Sequence, residues 1–156
     1  KALFLLPEDL DGKFTGVSRF WGIDANALKA ELDVSYRYGT KLEASAKVGY
    51  HRWKTADGGE TISYNRPQWE GGANIRYMPV RPFVLEAGYE FAAGREYSNL
   101  GKLSDIHLVH LKASYAFTSW FSLYGLTDNV LNRKYDILYG MPAQGINFMF
   151  GVDLKF

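Results

Sequence analysis

The 156-residue chain has no cysteine. Disulfides, thiolate metal sites and cysteine nucleophiles are therefore excluded together. Neither sign of charge is in excess. Lys and Arg number 18 against 17 Asp and Glu, so no basic face points to nucleic acid. Nowhere does the chain hold the roughly 20 consecutive apolar residues that a membrane-spanning helix requires. The opening "KALFLLPEDLDG" is too short for a signal peptide and has no small-residue cleavage site. Apolar residues at helical spacing are scarce, and no linker or low-complexity tract divides the chain.

What the chain does hold is aromatic residues, at 16% of the total, and a two-residue alternation that recurs along most of its length. In 28–38, Leu28, Ala30, Leu32, Val34, Tyr36 and Tyr38 oppose Lys29, Glu31, Asp33, Ser35 and Arg37. In 41–51, Leu42, Ala44, Ala46, Val48 and Tyr50 oppose Lys41, Glu43, Ser45, Lys47 and His51. Period 2 is the signature of strands with one apolar face. The same pattern predicts strands over 69–77, 83–91, 109–117, 121–128 and 146–156, with a weaker one over 12–21. Tight turns are predicted at 38–41, 78–82 and 117–120, and long polar loops at about 52–68, 93–105 and 129–144. Short turns at one end and long loops at the other are the pattern of an outer-membrane barrel.

A soluble sandwich would also alternate, so the wet face has to be identified. The apolar faces persist for five or six positions, close to the 9–11 tilted residues that span a bilayer. Aromatics gather at both ends of these faces. Tyr36, Tyr38, Tyr77, Tyr115, Phe117, Trp120, Phe121 and Phe156 lie toward the short turns; Tyr50, Trp53, Trp69, Tyr89 and Phe91 lie toward the long loops. Two such belts suit rings whose polar tips meet lipid headgroups. The opposite face carries both signs of charge: Lys29, Glu31, Asp33, Arg37, Glu43, Lys47, Glu70, Arg76, Glu86, Glu90, Lys112 and Asp153. In a barrel these form a lumen network that can pair internally.

The expectation is an all-β fold, an antiparallel transmembrane β-barrel of about eight strands in a Gram-negative outer membrane. Residues 1–156 form one barrel domain, with 1–11 as a periplasmic N-terminal segment. The final strand is expected to pair with the first, because an open sheet edge in hydrocarbon leaves backbone groups unpaired at several kcal/mol each. The partners are the lipid bilayer and the outer-membrane insertion machinery, with Phe156 as the barrel-assembly signal.

Few residues suggest chemistry. His107 and His110 fall on opposite strand faces, and too few ligands converge with His51 for a metal. Ser98 and Ser104 near His107 are the best hydrolase constellation, but no Gly-x-Ser-x-Gly motif accompanies them. The "ADGG" at 56–59 reads as a turn. No catalytic residue, metal or cofactor is expected. Trp53, Tyr64, Trp69, Tyr97, Tyr135 and Tyr139 are the candidates for contact with an extracellular small-molecule ligand, or else anchors of the loops at the membrane interface.

The stretch 127–156 resembles the last hairpin of TonB-dependent outer-membrane receptors. The resemblance rests on Asp128, Asn129, Asn132, Arg133 and Tyr135, followed by Tyr139, Gly140 and Pro142, then Gly145 and a closing strand ending in Phe156. It extends with less detail back to 111. Ile146 stands where the family usually has Arg. Members also carry a plug and a 22-stranded barrel, which 156 residues cannot hold. The resemblance implies either the C-terminal portion of such a receptor, taking up ferric chelates, cobalamin or sugars, or a small barrel sharing the closing hairpin. A free-standing eight-stranded structural or adhesive barrel and a lipid-modifying barrel enzyme are the alternatives.

Overall fold

The structure, a computed structural model, describes residues 2–10, 13–23, 25–55, 66–96 and 101–155, with side chains described in 26–54, 66–96 and 101–155. Tyr64, Tyr97, Ser98, Phe156 and the 56–59 turn lie outside the described residues.

The long strands are β1 (Ala2–Leu10), β2 (Lys13–Ile23), β3 (Ala25–Tyr38), β4 (Leu42–Thr55), β5 (Trp69–Tyr77), β6 (Phe83–Ala93), β7 (Ile106–Ala116), β8 (Phe121–Asp128) and β11 (Asn147–Leu154). Between the last two, β9 (Asp136–Leu138) and β10 (Met141–Pro142) form a short hairpin. The main sheet has seven antiparallel strands in the order β11-β8-β7-β6-β5-β4-β3.

The short connections close through backbone hydrogen bonds. Lys41 donates to Tyr38 at 3.3 Å, Phe83 to Val80 at 2.8 Å and Phe117 to Phe121 at 3.0 Å. The long connections lie at the other end, so each hairpin of the sheet reads in its predicted place.

One expectation changes. The 12–21 segment was to close the sheet by pairing with the final strand. Instead β2 pairs with β1, from Ala2 opposite Ile23 to Leu10 opposite Lys13, in a separate two-stranded sheet. Residues 2–10, read as a periplasmic segment, form that partner strand. The edges of the main sheet are β3 and β11. Seven alternating strands are an odd number, so β3 and β11 run the same way and cannot complete an antiparallel ladder with each other.

Register decides which residues share a face, because directly opposed residues in an antiparallel pair point the same way. Tyr36, Ala44, Ile75, Ala87, Leu111, Thr127 and Phe148 form one row of the apolar face. Arg37, Glu43, Arg76, Glu86 and Lys112 form one row of the other. Trp53 lies opposite Ala27 and shares parity with His51, so it belongs to the polar face and not to the outer aromatic belt. Beyond His51 the apolar face itself receives Arg52, so the two faces no longer differ in polarity there.

The described part of the fold has almost no interior. Among the described residues Leu103 is the one buried hydrophobic side chain, at 8% exposure, while Leu32, Val34, Phe148 and Phe150 are exposed at 61, 56, 62 and 82%. A water-soluble domain of this length buries its large apolar residues. Here most of those carried by the strands lie exposed in rows on one surface.

Candidate functional site

The polar face of the sheet is the grooved one. Its residues line two grooves. The one nearer the short turns has a volume of about 940 Å³ and includes Arg37, Glu43, Arg76, Glu86, His110, Lys112 and Asp128. The one nearer the long loops has about 760 Å³ and includes Asp33, Lys47, Glu70, Glu90 and Tyr135.

Across the first groove the charges alternate strand by strand. Arg37 Nε meets Glu43 Oε1 at 3.0 Å, and Arg76 NH1 reaches Glu43 Oε2 at 3.9 Å. Arg76 Nε meets Glu86 Oε1 at 3.2 Å, and Lys112 Nζ meets Glu86 Oε2 at 3.3 Å. Like charges directly opposed would repel, and this order places an opposite sign on every neighbour from β3 to β7. The row then ends on Leu126 and Met149. Each solvated pair is worth about 0.2–1 kcal/mol, so the ladder fixes charge balance and register more than it adds stability.

Toward the loops, Glu31 accepts from Lys29 at 2.8 Å and lies 3.5 Å from Lys47. His51 Nε2 stands 3.0 Å from Glu70, and His110 Nδ1 lies 3.1 Å from Asp128. Asp33 sits opposite Lys47 on the same face. Asp153 lies opposite Ser122, on the face shared with Gly151. A Cβ on Gly151 would displace the tip of the Tyr124 ring, which Lys112 approaches to 5.8 Å.

The apolar face carries two sets of packed rings. At the short-turn end, Tyr115 and Phe117 lie 4.7 Å apart, Phe117 and Phe121 5.4 Å, and Trp120 and Phe121 5.9 Å. At the loop end Tyr50 meets Trp69 at 4.8 Å, and Tyr89 stacks beside Phe91 at 6.2 Å. Trp69 and Tyr77 close the two ends of β5. Their separation along the strand is roughly 26 Å at about 3.3 Å per residue.

The loop end is held by specific hydrogen bonds. Asn129, 4% exposed, takes a positive φ of 50°, and Asn132 one of 47°. Asparagine tolerates this region because its short polar side chain bonds locally. Asn129 Nδ2 donates to the Arg133 and Gln144 carbonyls at 2.9 and 3.3 Å, and its Oδ1 accepts from the Arg133 N–H at 2.9 Å. Asn132 Oδ1 accepts from the Ile146 N–H at 3.1 Å, and a Cβ on Gly145 would come within 2.6 Å of it. The asparagines of the 128–135 motif are thus the fasteners of the last loop.

Arg95 received no role in the sequence reading, and it is 4% exposed. Its NH2 donates to the carbonyls of Asp136 and Ile137 at 2.8 and 2.9 Å, and its NH1 to that of Ser104 at 3.3 Å. Burial lowers its pKa from the ordinary guanidinium value, against the opposing influence of Tyr135, Asp136 and Asp105. A lone arginine in a polar loop has no sequence signature for this position.

The aromatic candidates do not form one cluster. Trp53 stacks under Arg66, whose guanidinium carbon is 4.6 Å from the ring centroid, and Tyr135 lines the loop-side groove. Trp69 packs on Tyr50 on the apolar face. Tyr139, 44% exposed, sits in the β9–β10 hairpin. His107 Nδ1 pairs with the Tyr89 hydroxyl at 2.8 Å on the apolar face, and Ser104 meets Arg95 through its carbonyl. Among the described residues no group of three or more His, Asp and Glu could hold a metal ion, and no cluster has the make-up of a catalytic centre.

No family model matches the sequence, and no curated protein does. Solved structures match it in fold. FpvA of P. aeruginosa bound to a heterologous pyoverdine superposes with a TM-score of 0.72 at 19% identity over 91% of this chain and 21% of that one. The ferripyoverdine receptor of the outer membrane of Pseudomonas aeruginosa gives 0.71 at 18% identity, over 94% of this chain and 22% of the receptor. The copper transporter OprC gives 0.68 at 17% identity, over 89% and 25%. The chain therefore spans about a fifth to a quarter of the length of these proteins, and what it shares with them is the antiparallel fold of an outer-membrane receptor.

Proposed function

We propose that this chain is the C-terminal part of the barrel of a TonB-dependent receptor, seated in a Gram-negative outer membrane and serving nutrient uptake. Residues 1–156 then belong to one barrel domain, with short turns in the periplasm and long loops outside. The observation that carries the reading is the division of the sheet. Large apolar side chains lie exposed on one face, paired charges lie on the other, and Leu103 is the one buried hydrophobic among the described residues. Lipid is the solvent that suits the first face, and a water-filled or plugged lumen suits the second.

Strand direction supports a longer parent protein. The edges β3 and β11 run parallel, so an antiparallel barrel needs an odd number of further strands between them. β1 and β2 alone are an even contribution. The isolated chain accordingly does not transport, and a free-standing eight-stranded barrel is the weaker reading.

The substrate class follows the likeness to a ferripyoverdine receptor: a ferric chelate, ahead of cobalamin or a sugar. Trp53, Tyr135 and Tyr139 are the contacts we assign to it among the described residues, with Tyr64 and Tyr97 from the same loops and Trp69 at the rim. Phe156 serves the insertion machinery.

The test is fractionation of cells expressing the protein that carries this chain, followed by electrophoresis with and without heating. Outer-membrane recovery and a heat-dependent change in migration are the expected result. A detergent-free soluble monomer would overturn the assignment.

A further inference from the structure

We propose that Arg95 is a positioning residue that joins the 94–105 loop and the 129–145 loop into one unit and thereby holds Tyr135 over the loop-side groove. Among the described residues lining that groove, all but Tyr135 come from strands β3 to β7, and Tyr135 comes from a loop. Tyr135 has no strand of its own to fix it. The two residues that follow it, Asp136 and Ile137, offer their carbonyls to one nitrogen of Arg95 at 2.8 and 2.9 Å.

Arg95 is fixed from its own side as well. Its carbonyl accepts from the Leu103 N–H at 2.9 Å, and its NH1 donates to Ser104 at 3.3 Å. Gly94 donates to the Asp105 carboxylate at 3.0 Å, which closes the base of the loop. Leu103, the one buried hydrophobic among the described residues, lies in the same segment. The guanidinium is therefore held in one loop and holds the other. A planar fork with several donors suits two adjacent carbonyls in a way that a single ammonium does not, and hydrogen bonds from a charged donor are roughly twice as strong as neutral ones.

The second loop is closed across Tyr135 by the Ala143 N–H, which donates to the Tyr135 carbonyl at 2.8 Å. Tyr135 is thus pinned through its own carbonyl by Ala143 and through its successors by Arg95. Releasing Arg95 frees one of these restraints and leaves the strand wall untouched. As a consequence that rests on the proposed receptor role, a ligand touching either loop would meet both as a single surface.

Limited trypsin digestion of the folded, full-length protein in detergent tests the clamp without any ligand, with cleavage sites read by mass spectrometry. Arg95→Met should raise cleavage after Lys102, Arg133 and Lys134 together by about tenfold, and leave cleavage after Arg76 and Lys112 in the strands unchanged. Arg95→Lys should fall between the two. Unchanged cleavage in both loops would overturn the proposal, and so would an equal rise at the strand sites, which would make Arg95 a general stabiliser. Hydrogen exchange of the unsubstituted protein is the second measurement. The Leu103 and Ala143 amides should open with the same protection, and protection differing by more than tenfold would contradict a single unit. Neither readout depends on ligand binding, so a clamp that holds in a protein that binds no ferric chelate would refute the ferric-chelate assignment alone.

Discussion

The strand wall and the loop end of this protein are stabilised in opposite ways. In the wall, from β3 to β8 and β11, the order comes from repetition: apolar residues recur at most second positions, register rows run from strand to strand, and no large side chain is buried. At the loop end there is no repetition, yet Arg95, Leu103 and Asn129 are each at least nine-tenths buried and each sits in a network of named hydrogen bonds. On the proposed membrane reading the wall depends on its surroundings, because its exposed apolar face then needs lipid. The loop end depends on particular residues.

That contrast can be broken most strongly in the wall. Leu32→Arg places a cation on the apolar face near the middle of β3 and should cost about 2–4 kcal/mol of folding free energy in lipid vesicles. Ser45→Arg, on the inner face, should cost less than about 1 kcal/mol in the same titration. Equal costs would mean that the two faces meet the same medium.

Next in size comes the loop end. Asn129→Ala removes three hydrogen bonds and leaves an alanine at positive φ. It should destabilise the 129–145 loop by about 2–3 kcal/mol, read as faster hydrogen exchange there with the strand amides unchanged.

Smallest is the ladder. Glu86→Gln removes the shared partner of Arg76 and Lys112 and should cost less than about 1 kcal/mol, shrinking further at high salt. A loss well above that would show that the ladder holds the sheet together and does more than set its register.

The wall was legible in the sequence because period 2 survives wherever the two faces of a strand differ in polarity. The alternation of Leu28 to Tyr38 and of Leu42 to Tyr50 maps directly onto paired rows. It failed at two places for one reason. Trp53 lies past the point where the two faces of β4 differ in polarity, so its residue type suggested a belt while its parity places it inside. The apolar run in Ala2–Leu10 does not alternate, yet that segment is a strand. The loop end was legible only in part. Asn129 and Asn132 stood in a recognisable motif, but nothing near Arg95 in the chain announces carbonyl partners at 136 and 137.

The central claim is that one face of this sheet meets lipid and the other does not, and tryptophan fluorescence tests it most directly. Single-tryptophan variants retaining Trp69, Trp120 or Trp53, with the others changed to Phe, would be folded into vesicles containing brominated lipid. Trp69 and Trp120, on the outer face and its turn-end belt, should be strongly quenched, while Trp53 under Arg66 should keep nearly all of its emission. Quenching of Trp53 as strong as that of Trp69, or no quenching at any of the three, would contradict the account.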